Sequence, residues 1–393
     1  MSDCLVVGGG VIGLSIAYEL AGHGRRVRVI DSGQPGREAS WAGAGILPPA
    51  GSGSEEPLEQ LAALSNRLHA AWSDELRAST QIDNGFRRSG AIYVARGPAA
   101  ARQLEQLAAW AGARNIVAER LSPKALGEIE PALQPRPGLD SAYFVPQECQ
   151  IRNPRHLKAL LAGCANRGVE ITPGVVVDDF DVRGDRVRAV RTNVGSISVG
   201  HICIAAGAWS ARVASKLGFT PAIKPIRGQI VLLSLARPIL SRIVNEGKRY
   251  LVPRPDGRLL VGSTEEDVGF DRGTTARAAS DLLAFALGLV PALETAGLER
   301  SWAGLRPATR DGLPYLGRMP GLSNVFMAAG HFRGGLQLST GTAVVMSQLI
   351  EGRQPEIDLS PFRLDRETER TNDHDDTTST KKRIALIKGN APG

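Results

Sequence analysis

The first thirty-one residues constrain this chain more than any other stretch. An apolar strand, Cys4-Leu-Val-Val, runs straight into Gly8-Gly-Gly-Val-Ile-Gly. A helical stretch follows through Ala17-Tyr-Glu-Leu-Ala, and a second apolar strand, Arg25-Arg-Val-Arg-Val-Ile, ends on Asp31. Strand, glycines, helix, strand and acid in that order predict a dinucleotide-binding βαβ unit. Gly8 permits the tight turn, Gly10 lets backbone amides approach a pyrophosphate, and Gly13 lets the helix lie close on the sheet. The helix N-terminus carries partial positive charge and favours phosphate. Asp31 is placed to accept hydrogen bonds from the two hydroxyls of an adenosine ribose. A site for an adenine dinucleotide is therefore expected.

The remaining composition narrows the class. The motif opens close to Met1, which leaves no room for a leader ahead of it, and no apolar run reaches the roughly twenty residues of a membrane span. Cys4, Cys149, Cys164 and Cys203 are scattered with no C-x-x-C pair, so they read as thiols in a reducing compartment and not as a disulfide frame or metal site. A cytoplasmic protein without a metal or a membrane partner is expected. The formal charge of +7 comes from dispersed arginines, and no basic run interleaved with aromatics predicts nucleic-acid binding. With 393 residues and 42% hydrophobic content, the chain is long enough for two domains.

Periodicity predicts the rest of the layout. Gly36 to Pro49 is a run of small residues without helical or strand pattern, either a flexible loop or a backbone passing close to a ligand. Its place directly after the ribose strand favours the ligand. Gly51-Ser-Gly-Ser-Glu-Glu reads as an exposed turn. Helices are expected over Leu58 to Leu76, Ala99 to Ala111, Leu157 to Arg167, Ala276 to Val290 and Gln337 to Glu351. Gly90-Ala-Ile-Tyr-Val-Ala reads as a strand, and Gly168 to Val177 as a strand pair. Val187 to Thr192 with Gly195 to Val199, and Tyr250 to Gly262 around Pro255-Asp-Gly, read as hairpins. His201-Ile-Cys-Ile-Ala-Ala-Gly-Ala-Trp-Ser and Val325-Phe-Met-Ala-Ala-Gly-His each run a strand into small residues and then a helix. From Asp365 the composition turns polar and charged, which predicts a disordered tail.

Four segments together carry a resemblance: Gly8-Gly-Gly-Val-Ile-Gly, Ala205-Ala-Gly-Ala-Trp-Ser, Trp302-Ala-Gly-Leu-Arg-Pro-Ala-Thr-Arg-Asp-Gly-Leu-Pro-Tyr-Leu-Gly, and Ala328-Ala-Gly-His-Phe-Arg-Gly-Gly. From about Ser2 to Leu364 the chain resembles the D-amino acid oxidase superfamily, and within it the glycine oxidases of thiamine biosynthesis. The resemblance implies an α/β fold. A discontinuous, Rossmann-like FAD-binding domain (1–84, 149–220 and 299–364) would carry a strand-rich substrate domain with an antiparallel sheet (85–148 and 221–298). The tail would be 365–393. It implies noncovalent FAD, since the region around Tyr315-Leu-Gly-Arg-Met-Pro lacks the flavin-attaching cysteine of monomeric sarcosine oxidases. It also implies a small amino-acid substrate, O2 as acceptor and a homo-oligomer.

Carried over by position, Gly8, Gly10, Val11, Ile12 and Gly13 match the phosphate turn, and Asp31 with Ser32 the ribose contacts. Ala39, Ser40, Ala44, Gly45 and Ile46 match the loop leading toward the flavin ring, Val175 the adenine side, and Gly207 the second strand-to-helix junction. His331, Phe332, Arg333, Gly334, Gly335, Leu336 and Gln337 match the loop under the flavin's pyrimidine end, where amides and a helix N-terminus stabilise negative charge. Tyr250, Arg306 and Arg333 match the amino-acid-binding positions. A guanidinium offers a carboxylate two parallel hydrogen bonds, although a structural ion pair between Arg306 and Asp311 is the alternative. His331 is read as packing beside the flavin, not as a base, and no other side chain is expected to act in catalysis. Lys248 stands where a histidine is often found in that group, which leaves the charge at the site entrance open. The reaction expected is oxidative deamination of glycine, sarcosine or a small D-amino acid by hydride transfer to flavin. A dehydrogenase with a non-oxygen acceptor is the main alternative, with an NAD-dependent dehydrogenase and a tRNA-modifying flavoprotein behind it.

Overall fold

The structure, a computed structural model, describes residues 2–51, 53–133 and 138–366. Two eight-stranded sheets organise it. The first has at its centre Val325–Ala329, Gly195–Ile204, Ser2–Val7, Val27–Ile30 and Glu170–Thr172, all parallel, with Tyr315–Arg318 antiparallel at one edge. Cys4 and Val6 face a core built with helices Val11–Gly22, Pro57–Thr80, Asn153–Asn166 and Ser339–Ile350. Leu5 and Val7 face an opposite core shared with Phe180, Val187 and Val190. A strand buried on both faces has to be apolar throughout, which is why Cys4-Leu-Val-Val shows no alternation.

The second sheet runs Gly297–Thr309, Ile223–Ser234, Arg258–Gly262, Arg249–Pro253, Ile243–Glu246, Ala91–Arg96, Leu139–Val145 and Glu119–Arg120. It is antiparallel apart from the pair Ile243–Glu246 with Ala91–Arg96. Val231, Leu233, Leu251 and Val261 pack under helix Ala276–Leu289, while Ile230, Leu232, Tyr250 and Val252 lie on the other face. That alternation leaves one face of the sheet free to line a cleft.

The α/β class and the expected helices are present, and the hairpin around Gly257 forms with Gly257 at φ +80. Several local expectations are corrected. Glu170–Thr172 and Val177–Arg183 are both strands but do not pair with each other. The first lies parallel to Val27–Ile30 and the second antiparallel to Arg186–Thr192. Local pattern reports a strand but not its partner. Gly195–Ile204 is one continuous strand, not a hairpin arm followed by a new one. Gly51 is buried in what reads as an exposed turn, because its amide donates to Glu59 Oε2 at 3.1 Å. Residues 299–309, grouped by sequence with the nucleotide segments, run along Ile223–Ser234 in the second sheet. Asp365 and Arg366 belong to the packed structure: Arg366 is buried, bonds Asp311 at 2.8 Å and stacks on Tyr315. The rest of the expected tail, 367–393, lies outside the described residues. Among the described residues no helix is long and apolar enough to cross a membrane.

Candidate active site

Between the two sheets runs a cleft of about 2040 Å³. It exceeds the few hundred to about a thousand Å³ of an ordinary small-molecule site. Every sequence-predicted site residue lines it except Gly13. Gly13 acts from behind. A Cβ there would overlap the Gly8 carbonyl oxygen, so its lack of side chain sets how closely helix Val11–Gly22 sits on the turn.

At the nucleotide end Gly8 adopts φ +112, and a Cβ on it would come within 2.5 Å of the Ala205 carbonyl oxygen. Only glycine takes that turn without strain. The first-turn amides of the following helix lack intrahelical acceptors, and Ser40 Oγ takes the Val11 amide at 2.9 Å. Asp31 braces the turn, accepting the Gly9 amide at 2.7 Å on one oxygen and the Gly33 amide at 2.8 Å on the other. A carboxylate has about four acceptor directions, so each oxygen keeps capacity for a hydroxyl. The Val175 amide donates to the Asp31 carbonyl at 2.8 Å, which brings Val175 beside the acid.

The loop after Asp31 is anchored by residues that the sequence reading missed. Asn153 Nδ2 donates to the Ser40 carbonyl and Trp302 Nε1 to the Ala42 carbonyl. Buried Arg254 donates to the Ala44 carbonyl and to Gln150 Oε1, both at 2.7 Å. Burial, with Arg152 and Arg87 nearby, lowers the Arg254 pKa to about 9. No local motif marks these contacts. Their only sequence signal is polar residues at positions whose neighbours read as core.

Beneath the cleft, strand Val325–Ala329 turns at Gly330 into the His331–Gln337 loop, with Phe332 at φ +48. The Gln337 carbonyl accepts from Ser65 Oγ at 2.6 Å and lies 2.8 Å from His69 Nε2, while Gln337 Nε2 donates to the Pro48 carbonyl. His331 Nε2 sits 3.1 Å from Thr342 Oγ1. Burial lowers the His331 pKa to about 3, so the ring is a neutral packing element at physiological pH.

At the far end Tyr250, Arg306 and Arg333 converge from two strands and the loop. Tyr250 stands opposite Gly262 in the neighbouring strand, and its ring fills the space a Cβ would take there. The Arg306 guanidinium lies over Gly228 in the same way. These two glycines, unmarked in the sequence, clear the floor of the site. Arg306 donates to the Thr264 carbonyl at 3.0 Å and to Ser263 Oγ at 2.7 Å. Burial, and then Arg333, pull its pKa below the ordinary range, while Tyr250 and Glu265 oppose the shift. Asp311 is bonded by Arg366, so the alternative ion pair with Arg306 is not what forms. Arg333 donates to the Lys248 carbonyl at 3.3 Å, and it is the Lys248 backbone that makes this contact.

Residues 3–349 match the DAO family, described as FAD dependent oxidoreductase. This chain belongs to that family. It is 34% identical to the glycine oxidase of Pseudomonas putida over 360 residues, covering 91% of this chain and 97% of that protein. It is 36% identical to the glycine oxidase of Geobacillus kaustophilus over 371 residues, covering 93% and 97%. The crystal structure of glycine oxidase from Geobacillus kaustophilus superposes with a TM-score of 0.88 at 34% identity, covering 92% of this chain and 98% of that one. The chain is an FAD-dependent oxidoreductase of the glycine oxidase type.

The cofactor of this DAO-family member is FAD, and the donor set fits it. A cradle closed to any Cβ at Gly8, a helix N-terminus and a carboxylate with free acceptor capacity occupy one end of the cleft. The chemistry FAD supplies is two-electron acceptance. The other end is the cationic, half-buried pocket of Arg306 and Arg333, with Tyr250 between sheet and cleft.

Proposed function

We propose that this enzyme oxidises glycine or a comparably small amine, sarcosine or a small D-amino acid, to the imine. Released imine hydrolyses to a 2-oxo acid (glyoxylate from glycine or sarcosine) and the freed amine, ammonia from a primary amine and methylamine from sarcosine. The observation that carries this reading is Arg306. A guanidinium held by two protein acceptors, set over a glycine and backed by a second guanidinium, suits a planar carboxylate. Tyr250 adds a hydroxyl to the same anion. Arg306, Arg333 and Tyr250 thus orient the α-carbon, and orientation is most of what a hydride transfer asks of the protein. FAD, held by the Gly8–Gly13 turn, Asp31 and the His331–Gln337 loop, would supply two-electron acceptance, with O2 as the proposed final acceptor and hydrogen peroxide as its product. His331 holds the loop in a neutral state and moves no proton.

The resemblance to the thiamine-biosynthesis group supports a role in that pathway, and homo-oligomerisation is proposed on the same ground. A cytoplasmic, reducing location is supported by the free thiols, of which Cys4, Cys164 and Cys203 are buried. The test is oxygen uptake and peroxide formation with glycine, sarcosine and D-alanine. One peroxide per amine consumed is expected. Reduction of a quinone with no oxygen uptake would move the enzyme to the dehydrogenases.

A further inference from the structure

The segment after strand Arg258–Gly262 folds back along Ile223–Ser234. Arg227 and Glu266 exchange backbone hydrogen bonds, Arg227 N to Glu266 O at 2.8 Å and Glu266 N to Arg227 O at 2.9 Å. The Gln229 amide donates to Thr264 Oγ1 at 2.9 Å. This pairing fixes the register, and in extended backbone successive side chains point to opposite sides. Glu266 turns toward Arg227 and Gln229 and is engaged there, accepting from Arg227 Nε at 2.9 Å and Gln229 Nε2 at 2.8 Å. Glu265 turns the other way, into the cleft.

There it meets the amino-acid pocket. Glu265 Oε2 is 3.8 Å from Arg333 Nη1, beyond hydrogen-bonding range, and its charge acts on Arg306. That oxygen is shielded from solvent and has no hydrogen-bond donor among the described residues. A buried carboxylate oxygen without a donor is costly, and such groups mark places where something else donates. The two guanidiniums suit a carboxylate, so the group still lacking a counterpart is the substrate's nitrogen, and the missing donor on Glu265 is an N–H.

We propose that Glu265 is the amine contact of the active site, accepting a hydrogen bond from the substrate nitrogen while Arg306 and Arg333 hold its carboxylate. The site is then complementary to an amino-acid zwitterion as a whole and selects amino acids over simple carboxylates. This rests on the carboxylate clamp proposed above.

The holoenzyme with Glu265→Gln separates this role from one of merely bracing Arg333. Acetate, a carboxylate without an amine, is titrated by calorimetry. Glycine binding is read from the concentration dependence of anaerobic flavin reduction. The variant is expected to bind glycine about tenfold more weakly and acetate no more weakly than wild type, since a negative charge beside the anion has been removed. Glu265→Asp, which keeps the charge on a shorter stem, is expected to lie between wild type and Glu265→Gln for glycine. Equal weakening of both ligands would show that Glu265 only positions Arg333, and unchanged glycine binding would show that it contacts nothing; either overturns the proposal. Wild type that binds neither ligand would overturn the clamp itself, and the amine contact with it.

Discussion

The two ends of the cleft are made of different materials. At the nucleotide end the surface offered to a ligand is largely backbone: the Gly8–Gly13 turn, the first amides of a helix, and a carboxylate already bracing two amides. The glycines there are packed against other backbone, the Ala205 carbonyl in one case and the Gly8 carbonyl in another. At the amino-acid end the surface is side chain. Its glycines, Gly228 and Gly262, are packed against the movable ends of Arg306 and Tyr250. A backbone site has one geometry and breaks when crowded. A side-chain site can be displaced without unfolding, so its specificity can change while the cofactor stays bound.

That difference is open to direct attack. The largest effect on the fold is expected from Gly13→Ala, whose new methyl meets backbone that cannot move; overpacking of this kind costs about 1–3 kcal/mol or more. Purified variant is expected to lose flavin absorbance and melt earlier, and full flavin content would contradict the packing argument. Next comes Arg306→Ala. Removing one partner of a desolvated ion pair costs roughly 2–5 kcal/mol. A fall in kcat/KM for glycine of about 30-fold or more is expected, with flavin content and Tm unchanged.

The two regions are also expected to respond to pH in opposite directions. On the flavin-loop side, burial lowers His331 to about 3 and His69 to about 4. Unfolded histidines take up protons below about 6.5 while these stay neutral, so the stability they confer is whole above that pH and is lost as pH falls toward the folded values. In the turn after strand Leu139–Val145, Glu148 is fully buried, accepts from Tyr93 at 2.6 Å, and is raised by burial to about 7. Its folded state holds the proton more tightly, so its contribution is whole below about 4.5 and is lost as pH rises through 7. Glu148→Gln is therefore expected to leave Tm nearly unchanged at pH 5 and to raise stability by up to about 3 kcal/mol at pH 8. Equal effects at both pH values would remove the basis for that contrast.

The smallest effect is the sharpest test of the comparison. Gly228→Ala crowds the Arg306 guanidinium first, and is expected to raise the KM for glycine about tenfold with normal flavin content and Tm. A fold-level defect would mean that the amino-acid end is as rigid as the nucleotide end.

The same contrast explains what could be read from the sequence. Gly8, Gly13 and Asp31 were legible because a tight turn and a close helix impose short-range spacing. Tyr250 and Arg306 were reached through resemblance, since nothing local sets them apart. Gly228 and Gly262 stayed hidden because their meaning depends on which residue faces them across a strand pair. The same holds for Glu170–Thr172, recognisable as a strand but not as the neighbour of Val27–Ile30, and for Arg254, whose contacts with Gln150 and Ala44 span 104 and 210 residues. Glu265 and Glu266 look alike in sequence, and a single backbone pairing with Arg227 decides which one faces the cleft.

The most direct test of the whole account is the visible spectrum of the purified protein before and after anaerobic addition of glycine. Flavin bands are expected to bleach with glycine in wild type and to bleach at least about 30-fold more slowly at the same subsaturating glycine concentration in Arg306→Ala. Bands that persist in wild type with glycine, sarcosine and D-alanine alike would contradict it.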